Sequence, residues 1–212
     1  RWAKGNLEVL FKHNPLWYRG LSFPQRIAYL SSGTYYLIGL VVMLNALLPL
    51  AFFLTGQAPF TTNTMVLAAA FLPFIFLTFY VLQQTSNATV TYRTVAYSIG
   101  TFPVYVQALL ETILGRRRSF AVTSKVQLDG NYPLLVLPQL LYIVATIALV
   151  VYDLVYVGLS PALITNATWA GFYIICFTTV MYTAVPDFAV AVQRVLTLIS
   201  WPIIRLQRLR RI

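Results

Sequence analysis

The sequence predicts an all-α membrane protein with four transmembrane helices and amphipathic helices at the cytoplasmic interface. Three observations lead there. Of 212 residues, 59% are hydrophobic and only 9% are charged, whereas soluble domains carry about 25% charged residues. No charged residue stands between Arg26 and Arg93, and Asp153 alone stands between Asp129 and Asp187; each gap has room for two spans of about 20 residues and a short loop. The 15 Lys and Arg fall five in residues 1–34, five in 83–133 and five after 187, with none in the loops at 55–64 or 158–167. By the positive-inside rule both termini and the middle segment face the cytoplasm.

Taken in order, residues 1–34 read as interfacial. Ala3, Leu7, Leu10 and Phe11 recur at helical spacing, while Lys4, Asn6, Glu8 and Lys12 occupy mostly other faces. Asn14-Pro15 breaks this helix, and Phe23-Pro24-Gln25-Arg26 begins a second short one. Basic, aromatic-rich helices of this kind lie in the headgroup layer. Residues 35–82 form the first transmembrane hairpin, with spans at about 35–54 and 65–82 around a turn of Gly, Pro, Thr and Asn. Each span carries a proline, Pro49 or Pro73, which is tolerated where neighbours re-satisfy the freed carbonyl.

Residues 83–133 are the polar middle. From Tyr92 to Leu114 apolar residues step by three and four, with Arg93, Ser98, Thr101, Gln107 and Glu111 between them. That pattern is an amphipathic helix with a kink expected at Pro103. A basic run, Arg116-Arg117-Arg118-Ser119-Phe120-Ala121-Val122-Thr123-Ser124-Lys125, follows, then a turn at Asp129-Gly130-Asn131. Residues 134–185 form the second hairpin, with spans at about 134–157 and 168–185. Ser160-Pro161 and Thr165-Asn166 mark the loop between them. Residues 186–212 are a basic amphipathic cytoplasmic tail ending in Arg205, Arg208, Arg210 and Arg211.

The chemistry within the chain is sparse. Its five acids, Glu8, Glu111, Asp129, Asp153 and Asp187, make no close pair suited to acid-base work, and its single histidine, His13, has no companions at metal-ligand spacing. No catalytic residue and no metal ligand is therefore assigned. With one cysteine, Cys176, an intrachain disulfide is excluded. The first residue is Arg1 rather than Met, and the expectation is that the chain is a C-terminal piece of something longer.

Two stretches admit a sharper reading. An arginine cluster with a nearby Thr and Lys fits planar phosphates, but it fits an anionic lipid surface equally well. Trp2 at a membrane interface is an anchor, or a platform on which the apolar face of a sugar stacks, with Arg1 beside it for a diphosphate.

Arg1-Trp2-Ala3-Lys4-Gly5-Asn6-Leu7 resembles the end of the Gln-x-x-Arg-Trp motif of processive family 2 glycosyltransferases. The continuation from Asn14-Pro15-Leu16 through Arg19-Gly20-Leu21-Ser22 to Pro24-Gln25-Arg26 and Tyr29-Leu30 resembles the first interfacial region of bacterial cellulose synthase catalytic subunits. Phe120-Ala121-Val122-Thr123-Ser124-Lys125 is similar to the Phe-x-Val-Thr-x-Lys gating loop of that family. The likeness runs to about residue 185. It implies that Trp2 stacks on the acceptor end of a growing glucan and that Arg1 sits near the nucleotide diphosphate. It also implies that Phe120, Val122, Thr123 and Lys125 reach over a bound UDP-sugar. Mg2+ or Mn2+, the catalytic base and the nucleotide-binding carboxylates would belong to an upstream glycosyltransferase domain. The implied partners are UDP-sugar, the polysaccharide, that domain and anionic lipids, with no nucleic acid; the implied location is the plasma (inner) membrane. Arg116–Arg118 are not part of the motif and keep the lipid or long-range steering reading.

Asp153, near the outer interface, is read as a solvated acid or as a hydrogen-bonding residue at a sugar exit, with Tyr152 and Tyr156 suiting either. Asn45 and Gln139 line a polysaccharide path or tie helices together. The rival to the whole scheme is a non-enzymatic four-helix membrane scaffold or small transporter with lipid-binding basic surfaces, which leaves both motifs to coincidence.

Overall fold

A computed structural model describes residues 2–58, 64–86, 92–116, 130–188 and 190. Every regular element among them is helical: α1 (Trp2–Lys12), α2 (Phe23–Tyr35), α3 (Ile38–Thr55), α4 (Thr64–Thr85), α5 (Tyr92–Gly100), α6 (Phe102–Ile113), a 3₁₀ turn at Pro133–Val136, α7 (Leu137–Tyr156) and α8 (Pro161–Ala184). Four stretches, Phe23–Thr55, Ala68–Thr85, Pro133–Tyr156 and Pro161–Ala184, are long and apolar enough to cross a membrane. The 33 residues of the first exceed the need, since about 20 suffice for a span. They divide at Tyr36–Leu37, where the tight bonds Leu37 N–H to Thr34 O (2.9 Å) and Leu40 N–H to Leu37 O (3.0 Å) interrupt the α-helical ladder. With its 18 residues, α3 alone is about 27 Å long and matches the hydrocarbon thickness.

Three packed clusters hold the helices together. The central one joins Val42 and Ala46 of α3, Ala96 of α5, Phe102 of α6, Tyr142 of α7 and Tyr173, Cys176 and Phe177 of α8. A second joins Ala3, Leu7 and Leu10 of α1 to Ala108 and Leu109 of α6, with Leu30 of α2 against them. The third, at the opposite end of α3, joins Phe52 and Phe53 to Leu163 and Ala170 of α8. α4 belongs to none of them; Leu72, Phe74, Phe76 and Tyr80 are exposed on it. An all-round apolar helix is stable in lipid without such packing.

The kink expected at Pro103 is a full break between α5 and α6. Thr101 closes α5 by sending its backbone N–H (3.0 Å) and its hydroxyl (2.7 Å) to the Tyr97 carbonyl. Proline then sits in the first turn of α6, where its missing N–H is harmless. At the break Gly100 lies against α8: a Cβ there would overlap the side chain of Val180 and come within 3.3 Å of the Cys176 carbonyl oxygen. Gly39 does the same for α3 and α6, its virtual Cβ falling 2.5 Å from Tyr105 Cβ and 3.0 Å from the Phe102 carbonyl oxygen.

The loop expected up to residue 167 is much shorter. Ser160 Oγ accepts from Leu163 N–H (3.1 Å) as an N-cap, Pro161 opens the helix, and α8 runs from there. Thr165 and Asn166 look like loop residues by composition. They are accommodated because their side chains bond back to the Pro161 and Ala162 carbonyls at 2.9 and 3.0 Å.

Candidate functional site

Trp2 opens α1, a helix of 11 residues whose buried face is Ala3, Lys4, Leu7 and Leu10. That face differs from the expected one. Lys4 is 9% exposed, and Phe11, expected inside, is 53% exposed. The cause is the partner: α1 rests on α6 through small and branched residues, and the stripe that meets it includes position 4 rather than 11. Trp2 is 82% exposed, with its carbonyl accepting from Asn6 Nδ2 at 3.0 Å. An indole in this position offers a whole face to a ligand or a lipid headgroup.

The Lys4 ammonium donates to the Arg116 carbonyl and lies 3.8 Å from Glu8 Oε1, which also receives Lys12 Nζ at 3.4 Å. Arg116 follows a Schellman ending of α6: Gly115 has φ +64°, Arg116 N–H bonds to Glu111 O at 3.0 Å, and Gly115 N–H to Thr112 O at 3.2 Å. The helix carrying Trp2 is thereby joined to the residue at which the basic run begins. On the far side of that run, Tyr132 N–H bonds to Ala184 O (2.8 Å) and Asp187 N–H to Asn131 Oδ1 (3.1 Å), while Asn131 Nδ2 donates to the Asp187 carboxylate. The residues flanking 117–129 are thus held by different elements, α1 with α6 on one side and the end of α8 on the other.

Arg1, Phe120, Val122, Thr123 and Lys125, the other expected site residues, lie outside the described residues, as do Arg117, Arg118 and the basic tail from 191. Among the described residues no group of three or more His, Cys, Asp or Glu is placed to hold a metal.

The other polar candidates resolve individually. Gln139, 2% exposed, sends Nε2 to the Gly100 carbonyl at 2.7 Å, tying α7 to the end of α5. Asn45 donates to Val41 O on its own helix at 2.9 Å. Asp153 is 8% exposed, so it is not a solvated acid. It faces the bundle at the same end of the α7–α8 hairpin as the buried Asn166, while Tyr152 and Tyr156, with ring centroids 4.8 Å apart, face out.

Sequence reasoning missed two organising cations. Lys4 reads as polar on a helical wheel, and only the approach of α6 buries it. Arg26 fans its guanidinium over the loop after α1, from Nη1 to Leu16 O (2.5 Å), Nε to Leu21 O (3.1 Å) and Nη2 to Tyr18 O (3.3 Å). The one local signal for it is the cap beside it, where Gln25 Oε1 accepts from Ser22 N–H at 2.9 Å. Tyr105 completes an edge-on cluster with Tyr35 and Tyr36, at 6.2 and 5.5 Å between centroids. Burial pushes its phenol above the ordinary value of 10.0, against a hydrogen bond with Thr101 that lowers it.

Comparison with known proteins follows the same residues. A family model described as cellulose synthase matches residues 1–184. Cellulose synthase 1 of Komagataeibacter xylinus is 28% identical over 184 residues, covering 80% of this chain and 12% of its own length. A cellulose synthase catalytic subunit (UDP-forming) of Komagataeibacter sucrofermentans is 34% identical over 76 residues, 36% of this chain and 10% of that protein. A probable cellulose synthase A catalytic subunit 2 (UDP-forming) of Oryza sativa subsp. indica is 39% identical over 61 residues, 27% of this chain and 6% of that protein.

Proposed function

The chain belongs to the cellulose synthase family, and on that premise we propose that it is the membrane portion of a processive glycosyltransferase that extends a β-glucan from a UDP-sugar and passes it across the bilayer. The observation that carries this reading is the family match over residues 1–184 of a chain with four helices long and apolar enough to span. A scaffold or small transporter would leave that match unexplained.

In this proposal Trp2 is the acceptor platform at the cytoplasmic mouth, and its place opposite the face of α1 that packs on α6 supports the role. An indole stacks on the apolar face of a pyranose without fixing its azimuth, which suits a polymer that must advance one residue at a time. Arg1 lies near the diphosphate. Phe120, Val122, Thr123 and Lys125 form a gating loop that orders on the nucleotide, excludes water and then releases it. α1, α2, α5 and α6 are amphipathic helices at the cytoplasmic interface, and both termini face the cytoplasm of an inner membrane, with anionic lipid against the basic surfaces. The curated relatives are far longer than the chain, which spans 12% of cellulose synthase 1. Nucleotide binding, the Mg2+ or Mn2+ ion and the catalytic base are accordingly assigned to a glycosyltransferase domain outside these 212 residues.

The test uses the full-length enzyme with UDP-glucose. Trp2→Ala is expected to lower elongation by about 100-fold or more, the scale of losing a stacking and orienting contact, while nucleotide-sugar binding changes by no more than about twofold. Polymer of normal length from this variant would remove the platform role. Combined Thr123→Ala and Lys125→Ala replacement is expected to weaken UDP binding instead; unchanged UDP affinity would leave that stretch as a lipid patch.

A further inference from the structure

A lysine buried between two short helices needs a reason, because a Leu at the same place would pack with no polar group to satisfy. Lys4 is 9% exposed, its ammonium donates to the Arg116 carbonyl, and Glu8, one turn on, lies 3.8 Å from it. The accepting carbonyl stands just past the Schellman ending of α6, where the negative end of the helix dipole favours a cation. The rest of the α1–α6 contact is apolar: Ala3, Leu7 and Leu10 on Ala108 and Leu109. Contacts of that kind hold two helices together but tolerate sliding and rotation, whereas one part-buried charge-assisted bond picks a single register. Residues 2 and 4 of a helix differ by about 200° around the axis and about 3 Å along it, so seating Lys4 inward on α6 turns Trp2 outward.

The geometry points to Lys4 as a positioning residue for Trp2: by clamping α1 to the end of α6 it sets the rotation of the helix, and so the place and aspect of the indole. The inference rests on the platform role proposed above for Trp2. It adds that the platform is oriented by a bond to the residue at which the basic run begins. The clamp itself is independent of the chemistry, and the two can be tested separately.

The experiment uses the full-length protein in nanodiscs, with spin labels at Gly5 and Ile113, two exposed positions on α1 and α6. Lys4→Met keeps the length of the stem and removes the donor, and Lys4→Arg keeps a donor. The expected result for Lys4→Met is a broadened inter-label distance distribution together with a drop in polymer-forming kcat of about tenfold or more, the scale of a lost charge-assisted bond. The KM for UDP-glucose stays within about twofold. Lys4→Arg is expected to restore the narrow distribution and most of kcat. A distribution unchanged in Lys4→Met overturns the clamp whatever the activity. A broadened distribution with wild-type kcat overturns the positioning role. If Lys4→Met does not fold, Glu8→Gln, which loosens the ammonium from the α1 side, is expected to broaden the distribution partially; a wild-type distribution and kcat there also overturn the inference. Full activity in Trp2→Ala would instead fail the platform reading, and the distance measurement would still decide the clamp.

Discussion

Gln139 shows how much of the bundle rests on single polar atoms. Its Nε2 caps the Gly100 carbonyl at the end of α5, while among the described residues its own Oε1 has no hydrogen-bond partner and the buried Thr146 hydroxyl interacts with that of Tyr142. Removing the donor strands a backbone carbonyl in an apolar interior; removing one hydroxyl of the Thr146–Tyr142 pair strands only the other hydroxyl. Gln139→Leu is therefore expected to destabilise the bundle by about 1–2 kcal/mol. Thr146→Val, which leaves behind only the Tyr142 hydroxyl, is expected to cost less. SDS-titrated unfolding in bicelles measures both, and equal losses for the two variants would refute the distinction. Packing likewise decides Asp153, which sequence position left open between a solvated acid and a hydrogen-bonding residue. A residue near a loop is solvated only if its helix turns it outward, and α7 turns Tyr152 and Tyr156 outward instead.

At the scale of elements, the contact between α5 and α8 is the most tightly specified. Tyr92 OH pairs with Thr179 Oγ1 at 2.9 Å, Tyr97 OH with Thr183 Oγ1, and Gly100 lets the two backbones approach. Small residues at a crossing and hydroxyls across it are the means by which membrane helices associate, since lipid supplies no hydrophobic drive. Gly100→Ala would force its methyl against Val180 and toward the Cys176 carbonyl. An overpacking loss of about 1–3 kcal/mol is expected, read from the same unfolding titration, and wild-type stability would show that the crossing can slacken. The elements themselves were legible in part. Four long apolar runs and the period of residues 92–114 were plain in the order of residues. The start of α8 was not, because Thr and Asn that bond to their own helix have the composition of a loop.

For the whole molecule, the charge distribution predicts an orientation. The connection after α3 and the one between α7 and α8 carry no Lys or Arg, while α1, α2, α5 and the connections after α1 and α6 do. Single cysteines in place of Gln57 or Leu159 are expected to react with a membrane-impermeant maleimide on intact cells, and one in place of Lys12 only after permeabilisation. Cys176, 1% exposed, contributes no background. Labelling of Lys12→Cys from outside would invert the topology and move Trp2 away from any cytoplasmic nucleotide.

The sequence by itself determined the all-helical membrane class, the four long apolar runs and the two motifs that point to a family, because hydropathy and short ordered patterns act over neighbouring residues. The tertiary structure alone decided which polar residues are buried, and therefore what they do. Lys4 became a clamp because α6 lies on α1, Gln139 a cap because α5 ends beside α7, and Asp153 an inward acid because α7 rotates it there. Burial is settled by residues far away along the chain, Arg116 for Lys4 and Gly100 for Gln139, and no local pattern carries that information.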